Sequence, residues 1–191
     1  MNSLNRSSFA NSPPMTIANA LTLLRLCLIP LIVVTIHSGR FGIATVIFII
    51  AGLTDALDGY LARKLNQQTE IGAYLDALAD KSLIAASFIA LVFVQLVPFW
   101  LVVLVIFRDL MIVGAVAIAW LMNNPIPIEP LRVSKANTAA QIVAVATTLG
   151  ARGFSVPLPE PVFLGIYAIV AALTVISVAA YFSRWFAHMA E

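Results

Sequence analysis

Six apolar stretches, each near the length of a membrane helix, fill the chain from residue 17 onward. They run over about 17–37, 41–64, 71–96, 99–122, 134–150 and 162–183. Ser38-Gly39-Arg40 closes the first, Asn66-Gln67-Gln68-Thr69-Glu70 the second, and Pro98 the third. A break with Asn123, Asn124, Pro125, Pro127 and Pro130 follows the fourth, and Gly150 to Pro161, with Pro157 and Pro159, follows the fifth. Such residues cannot continue a helix throughout. A crossing takes about 20 apolar residues, so the pattern predicts an all-α polytopic membrane protein with about six transmembrane helices. Of the 191 residues, 61% are hydrophobic and 10% charged. That is too little polar surface to cover a soluble domain of this size, and too much apolar side chain for a disordered one.

Residues 1–14, rich in Asn and Ser and ending in Pro13-Pro14, read as a flexible N-terminal tail, with 15–191 as one membrane domain. The first apolar run is long enough to span and carries Arg25, so it reads as a retained helix rather than a signal peptide. With the N-terminus cytoplasmic, Arg6, Arg63, Lys64, Arg132, Lys135 and Arg184 fall on the inner side, and only Arg40 and Arg152 outside. That distribution follows the positive-inside rule and places both termini on one side. A net charge of +2, scattered along the chain, excludes a nucleic-acid footprint. Cys27 stands alone, and His37 and His188 lie far apart, so nothing suggests zinc.

Charge inside the apolar stretches is the informative part. Helices two and three carry Asp55, Asp58, Asp76 and Asp80. Each aspartate in a span costs about 2.5–3.5 kcal/mol or more. Asp55 and Asp58 share one face of their helix, as do Asp76 and Asp80. A hairpin folded between Gln67 and Gln68 sets Asp55 level with Asp80, and Asp58 nearly level with Asp76. Hard divalent cations suit such an all-oxygen site, and two ions can clamp a phosphoryl transfer. Gly59, Ala62 and Gly72 leave room for a ligand against the backbone, and Arg63 lies within reach of a phosphate. Lys81 points about 100° from Asp80 by the helical pitch and reads as a counter-charge. Spacing alone leaves phosphoryl chemistry, cation or proton transport, and structural pairing all open.

The run Asp55-x2-Asp58-Gly59-x2-Ala62-Arg63-x8-Gly72-x3-Asp76-x3-Asp80 resembles the full signature of the CDP-alcohol phosphatidyltransferases. The resemblance implies a six-helix membrane enzyme, usually a homodimer, that moves a phosphatidyl group from CDP-diacylglycerol to an alcohol and releases CMP. It implies Asp55, Asp58, Asp76 and Asp80 as ligands of Mg²⁺ or Mn²⁺, two ions in number, and Asp80 as general base. It implies Asp55, Gly59, Ala62, Arg63 and Gly72 at the cytidine diphosphate. Asn19, Thr22 and Arg25 resemble the first-helix motif of several branches.

Three further features sit outside the signature. Arg25 in helix one, Arg108 in helix four and Lys135 in helix five are candidate acceptor- or phosphate-binding residues. Arg108 and Asp109 face different directions as sequence neighbours, so a mutual ion pair and separate partners are both open. Ser134, Thr138 and Gln141 share a face of helix five beside Lys135 and Asn137, as a pocket wall or an inter-helix seam.

The stretches Ala51-Gly52-Leu53-Thr54-Asp55 and Ser134-Lys135-Ala136-Asn137-Thr138, with Arg108-Asp109, look most like the cardiolipin synthase branch, which takes phosphatidylglycerol as acceptor. Ala77, where many members have proline, departs from that pattern. The alternative is a phosphatidylglycerolphosphate synthase using glycerol 3-phosphate, and a cation or proton transporter is more remote. The expected location is a bacterial or mitochondrial inner membrane, with the site facing cytoplasm or matrix.

Overall fold

The computed structural model describes residues 17–64, 70–121 and 132–189, and side chains over 22–55, 78–114 and 132–183. The tail expected at 1–14 and the loops 65–69 and 122–131 lie outside the described residues. What is described is all-helical: α1 (Ile17–His37), α2 (Phe41–Lys64), α3 (Glu70–Phe93), α4 (Phe99–Leu121), α5 (Arg132–Gly153) and α6 (Glu160–Met189).

Three helix ends share one device. Arg40 N–H donates to Thr35 O and Gly39 N–H to Ile36 O, with Gly39 left-handed at φ 70°. Leu96 N–H donates to Leu91 O and Gln95 N–H to Val92 O, with Gln95 at φ 57°. Val156 N–H donates to Ala151 O beyond α5, with Ser155 at φ 52°. Each is a left-handed C-terminal cap that satisfies the last carbonyls. The second stops α3 at Phe93, three residues before the limit expected from Pro98. The third lets α5 run past Gly150, which does not break it.

Gly150 and Gly153 serve packing instead. A Cβ on Gly153 would stand 2.6 Å from Gly42 Cα, and one on Gly150 would meet Thr45 Cγ2 at 4.0 Å. Two glycines thus bring the end of α5 against the start of α2, antiparallel and backbone to backbone.

Helix contacts close a ring in the order α1, α2, α5, α6, α4, α3, with α3 also touching α5 across the middle. The ring therefore divides into two four-helix groups, α1–α2–α5–α3 and α3–α4–α6–α5. Among the described residues α1 packs against both α2 and α3. The hairpin expected to set the four aspartates level turns at 65–69, and that loop and the side chains of 56–77 lie outside the described residues. An apolar core of Ile32, Ile36, Phe48, Leu83, Phe88, Leu91, Leu101, Val145, Leu149 and Val170 fills the middle.

The outside is apolar as well. Leu23, Leu31 and Val34 of α1, Ile49 and Leu53 of α2, Phe99, Phe107 and Leu110 of α4, and Leu164, Ile169 and Val175 of α6 are all exposed. One described stretch, Glu160–Ser183 with mean hydropathy 2.5, is long and apolar enough to cross a membrane by itself. Among the described residues, α1 and α2 contribute the apolar stretches Thr22–His37 and Phe41–Asp55.

Candidate active site

The first four-helix group holds the acids. Arg25 of α1 is wholly buried, and its Nη1 lies 2.8 Å from Asp55 Oδ1 on α2. A guanidinium keeps its charge in any protein environment, so burying it requires an anion. Asp55 provides one while keeping 37% of its side chain exposed. Thr22, one turn before Arg25, is also buried. Thr54 back-bonds to Ala51 O at 2.8 Å, which keeps its hydroxyl within α2. Asp80 is half-buried on α3, next to the fully buried Ala79.

Asp58, Gly59, Ala62, Arg63, Gly72 and Asp76 sit on α2 and α3 by their backbone, and their side chains lie outside the described residues. So does the side chain of Asn19. Among the described residues no three His, Cys, Asp or Glu side chains converge. Asp55 and Asp80 are carboxylates with partial access to the outside, and an all-oxygen donor set of this kind fits a hard divalent cation.

The second four-helix group holds a buried polar layer. Arg108 of α4 is 1% exposed and commits its guanidinium internally. Nη2 donates to Ser177 Oγ on α6 at 2.9 Å and to Ser134 Oγ on α5, and Nε donates to Ser177 Oγ at 3.3 Å. Nη1 pairs with Asp109 Oδ1. Sequence neighbours point about 100° apart on a helix, yet the long arginine side chain bends back to its neighbour. Asp109 Oδ1 also receives Lys81 Nζ from α3 at 2.9 Å. Lys81 is thus the counter-charge expected of it, and Asp109 holds a second basic side chain as well as Arg108. One layer, Lys81–Asp109–Arg108–Ser134/Ser177, ties all four helices.

On α5 the fully buried polar face is Asn137, Gln141 and Thr148. Ser134 and Thr138 flank it, half-buried, and Lys135 is exposed. Asn137 Oδ1 lies 3.0 Å from Thr174 Oγ1 of α6. Thr148 Oγ1 meets Tyr167 Oη at 3.1 Å, and Tyr167 donates onward to Leu96 O at 3.0 Å. Thr174 and Ser177, three apart in a strongly apolar helix, were not singled out from the sequence. Their spacing as the polar pair on one face was the available signal.

The structure thus brings together Arg25 with Asp55, Lys81 with Asp109 and Arg108, and Arg108 with Ser134. It does not bring Arg25, Arg108 and Lys135 into one cluster.

Comparison with known proteins finds several relatives. The chain is 37% identical over 165 residues to a cardiolipin synthase (CMP-forming) of Rattus norvegicus, covering 78% of this chain and 54% of the relative. It is 37% identical over 158 residues to the cardiolipin synthase (CMP-forming) of Homo sapiens, covering 74% and 52%. It spans about half the length of these two relatives. A CDP-diacylglycerol–glycerol-3-phosphate 3-phosphatidyltransferase of Bacillus subtilis is 36% identical over 146 residues, covering 69% of this chain and 75% of the relative. The family pattern for CDP-alcohol phosphatidyltransferase matches residues 15–185, which include the whole aspartate signature and all six helices but the C-terminal end of the last. The chain therefore belongs to the CDP-alcohol phosphatidyltransferase family.

Proposed function

We propose that the protein transfers a phosphatidyl group from CDP-diacylglycerol to phosphatidylglycerol, giving cardiolipin and CMP. The observation that carries the chemistry is the buried Arg25 locked on Asp55, the first carboxylate of the signature. A fixed cation on that carboxylate sets its orientation, as supporting hydrogen bonds do for metal-ligating carboxylates. The identity to CMP-forming cardiolipin synthases favours phosphatidylglycerol as acceptor. The Bacillus subtilis relative keeps glycerol 3-phosphate as the second reading.

In this reading Asp55, Asp58, Asp76 and Asp80 hold Mg²⁺ or Mn²⁺, two ions. When bound, the cations offset the negative charge of the pyrophosphate and of the departing CMP. Gly59, Ala62 and Gly72 let the cytidine diphosphate approach the backbone, and Arg63 pairs with a phosphate oxygen. Asp80 takes the proton of the acceptor hydroxyl. The acceptor oxygen then bonds to the phosphorus that bears the diacylglycerol, and the phosphoanhydride bond to CMP breaks. Lys135, exposed near the start of α5, is a meeting point for the acceptor's phosphate. Arg108 holds the α3–α4–α6–α5 layer in place rather than meeting that phosphate itself, since its guanidinium is committed to Asp109, Ser134 and Ser177.

Residues 15–191 form one membrane domain in this proposal, behind the tail at 1–14. The apolar side chains exposed on α1, α2, α4 and α6 support it. A water-soluble surface rarely carries so continuous an apolar cover, whereas lipid tails solvate it. All six helices then cross the bilayer, with both termini and the site on the cytoplasmic or matrix side of an inner membrane. A second copy forms a homodimer.

The test is an acceptor panel with purified protein, CDP-diacylglycerol and Mg²⁺ or Mn²⁺, read by lipid mass spectrometry and CMP release. Cardiolipin formed from phosphatidylglycerol supports the reading. Phosphatidylglycerol phosphate formed from glycerol 3-phosphate moves the assignment to the second one. Absence of CMP with every acceptor overturns both, and metal-dependent ion flux in liposomes would then point to transport.

A further inference from the structure

Two carboxamides inside the α3–α4–α6–α5 group have hydrogen-bonding capacity that nothing among the described residues meets. Asn137 is 0% and Gln141 2% exposed, and the amide nitrogen of each lacks a hydrogen-bond partner among the described residues. They lie one turn apart on α5. Both fall on the face that carries Thr148, which contacts Tyr167 of α6. Buried polar groups are almost always paired, and an exception calls for a partner or a task.

Asn137 narrows the chemistry. Thr174 Oγ1 lies 3.0 Å from Asn137 Oδ1 and 2.7 Å from Val170 O. A hydroxyl has one proton to donate. If that proton goes to the Val170 carbonyl, the carboxamide must present its N–H₂ to Thr174, and its oxygen is left open. If it goes to Asn137, the N–H₂ is left open. Either way one donor or one acceptor stays unmet, beside the unmet donor of Gln141. A phosphate or carboxylate oxygen accepts only, whereas a hydroxyl both donates and accepts. A polyol satisfies the pair in either orientation.

The location fits. Ser134, one turn before Asn137, is held by Arg108; Arg108 pairs with Asp109, and Asp109 with Lys81, the neighbour of Asp80. Asn137 is therefore about 4.5 Å along α5 from this layer by the helical rise, and Gln141 about 10.5 Å.

We propose that Asn137 and Gln141 recognise a non-reacting hydroxyl of a glycerol-type acceptor headgroup, and so set acceptor specificity. The proposal rests on the phosphatidyl-transfer reading above. It differs from that reading in naming what the acceptor must carry besides the reacting group.

The probe is phosphatidylglycerol against its analogue lacking the secondary hydroxyl of the headgroup. Both retain the primary hydroxyl that reacts. The wild type is expected to use the analogue with kcat/KM lower by about 100-fold or more, since a site built to bond a hydroxyl rejects its absence strongly. Asn137→Leu and Gln141→Met should raise KM for phosphatidylglycerol about 10-fold or more and compress the preference over the analogue. KM for CDP-diacylglycerol should stay within about twofold. If the wild type uses glycerol 3-phosphate instead, the same comparison runs against its 2-deoxy analogue.

Each variant removes a buried unmet amide for an apolar side chain of similar size, so both should fold, and thermal unfolding checks that. Should a variant fail to fold, the wild-type preference between acceptor and analogue decides alone. Equal use of the two by the wild type overturns the proposal. So do folded variants that keep both the wild-type KM and the preference, which is what an internal water as sole partner would produce. A wild type that releases no CMP with any acceptor overturns the phosphatidyl-transfer reading itself, which separates that failure from this one.

Discussion

Arg25 of α1 and Asp55 of α2 meet at 2.8 Å, and the arginine has no exposed surface. The pair joins two helices at the first carboxylate of the signature. An arginine there sets where that carboxylate points and supplies a fixed positive charge. Arg25→Met is expected to lower metal affinity and kcat/KM by about 10- to 100-fold, the usual cost of losing a partner behind a metal ligand. Arg25→Lys should recover part of this, because it keeps the charge but loses the planar fork. Mn²⁺ titration of CMP release, with thermal unfolding alongside, separates this outcome from loss of fold. A half-saturating Mn²⁺ concentration unchanged in Arg25→Met would remove the role.

Asp80→Asn tests the proposed base. An amide cannot take the acceptor's proton, so kcat should fall by about 10²–10⁴-fold. Mn²⁺ binding, followed by electron paramagnetic resonance on the purified variant, should weaken less than kcat because three signature aspartates persist. Activity near the wild-type level would assign the proton transfer elsewhere.

How far these features could be read from the sequence differs by kind. Helix number was legible because each apolar run ends in prolines, glycines or a polar cluster. Two helix ends were not, because Gln95 and Ser155 take the left-handed conformation without being glycine, and local side-chain chemistry does not announce that. Gly150 and Gly153 read as a break because glycine has two uses, and only the neighbouring Gly42 shows which applies. Arg25 read from the sequence as a phosphate-binding candidate, and its pairing with Asp55 was not legible, because it depends on α1 packing against α2. The Arg108–Asp109 pair was left open because helical pitch separates neighbours, while side-chain length decides whether they meet. Asn137 fell just beside the stripe chosen from the sequence; burial on the α6 side, not spacing, makes it the inward residue.

Gly153 is the tightest of the described glycines. A methyl group there would stand 2.6 Å from Gly42 Cα and N, and both are backbone atoms that cannot rotate away. Gly153→Ala is expected to destabilise by about 1–3 kcal/mol, as overpacking does. Gly52→Ala on the exposed face of α2 meets nothing within 4 Å. It should be neutral or stabilising by up to about 1 kcal/mol, because alanine loses less entropy in a helix. Thermal unfolding in detergent compares the two, and equal melting temperatures would show that α2 and α5 do not depend on this approach.

The Lys81–Asp109–Arg108 layer makes an asymmetric prediction. Arg108 is 1% exposed, and Asp109 is its one described anion partner. Asp109→Asn therefore leaves a buried guanidinium without countercharge, which costs about 3–5 kcal/mol. Lys81 is 36% exposed, and its loss leaves Asp109 still paired with Arg108, so no buried charge is stranded and Lys81→Met should cost no more than about 1 kcal/mol. Ser177→Ala removes a hydroxyl that accepts from the same guanidinium and should fall between the two, at about 1.5–3 kcal/mol. The order Asp109→Asn, Ser177→Ala, Lys81→Met in loss of stability is what unfolding measurements should return. If Lys81→Met destabilised as much as Asp109→Asn, the layer would be held together at its α3 end, and the buried arginine would not be the group that needs Asp109.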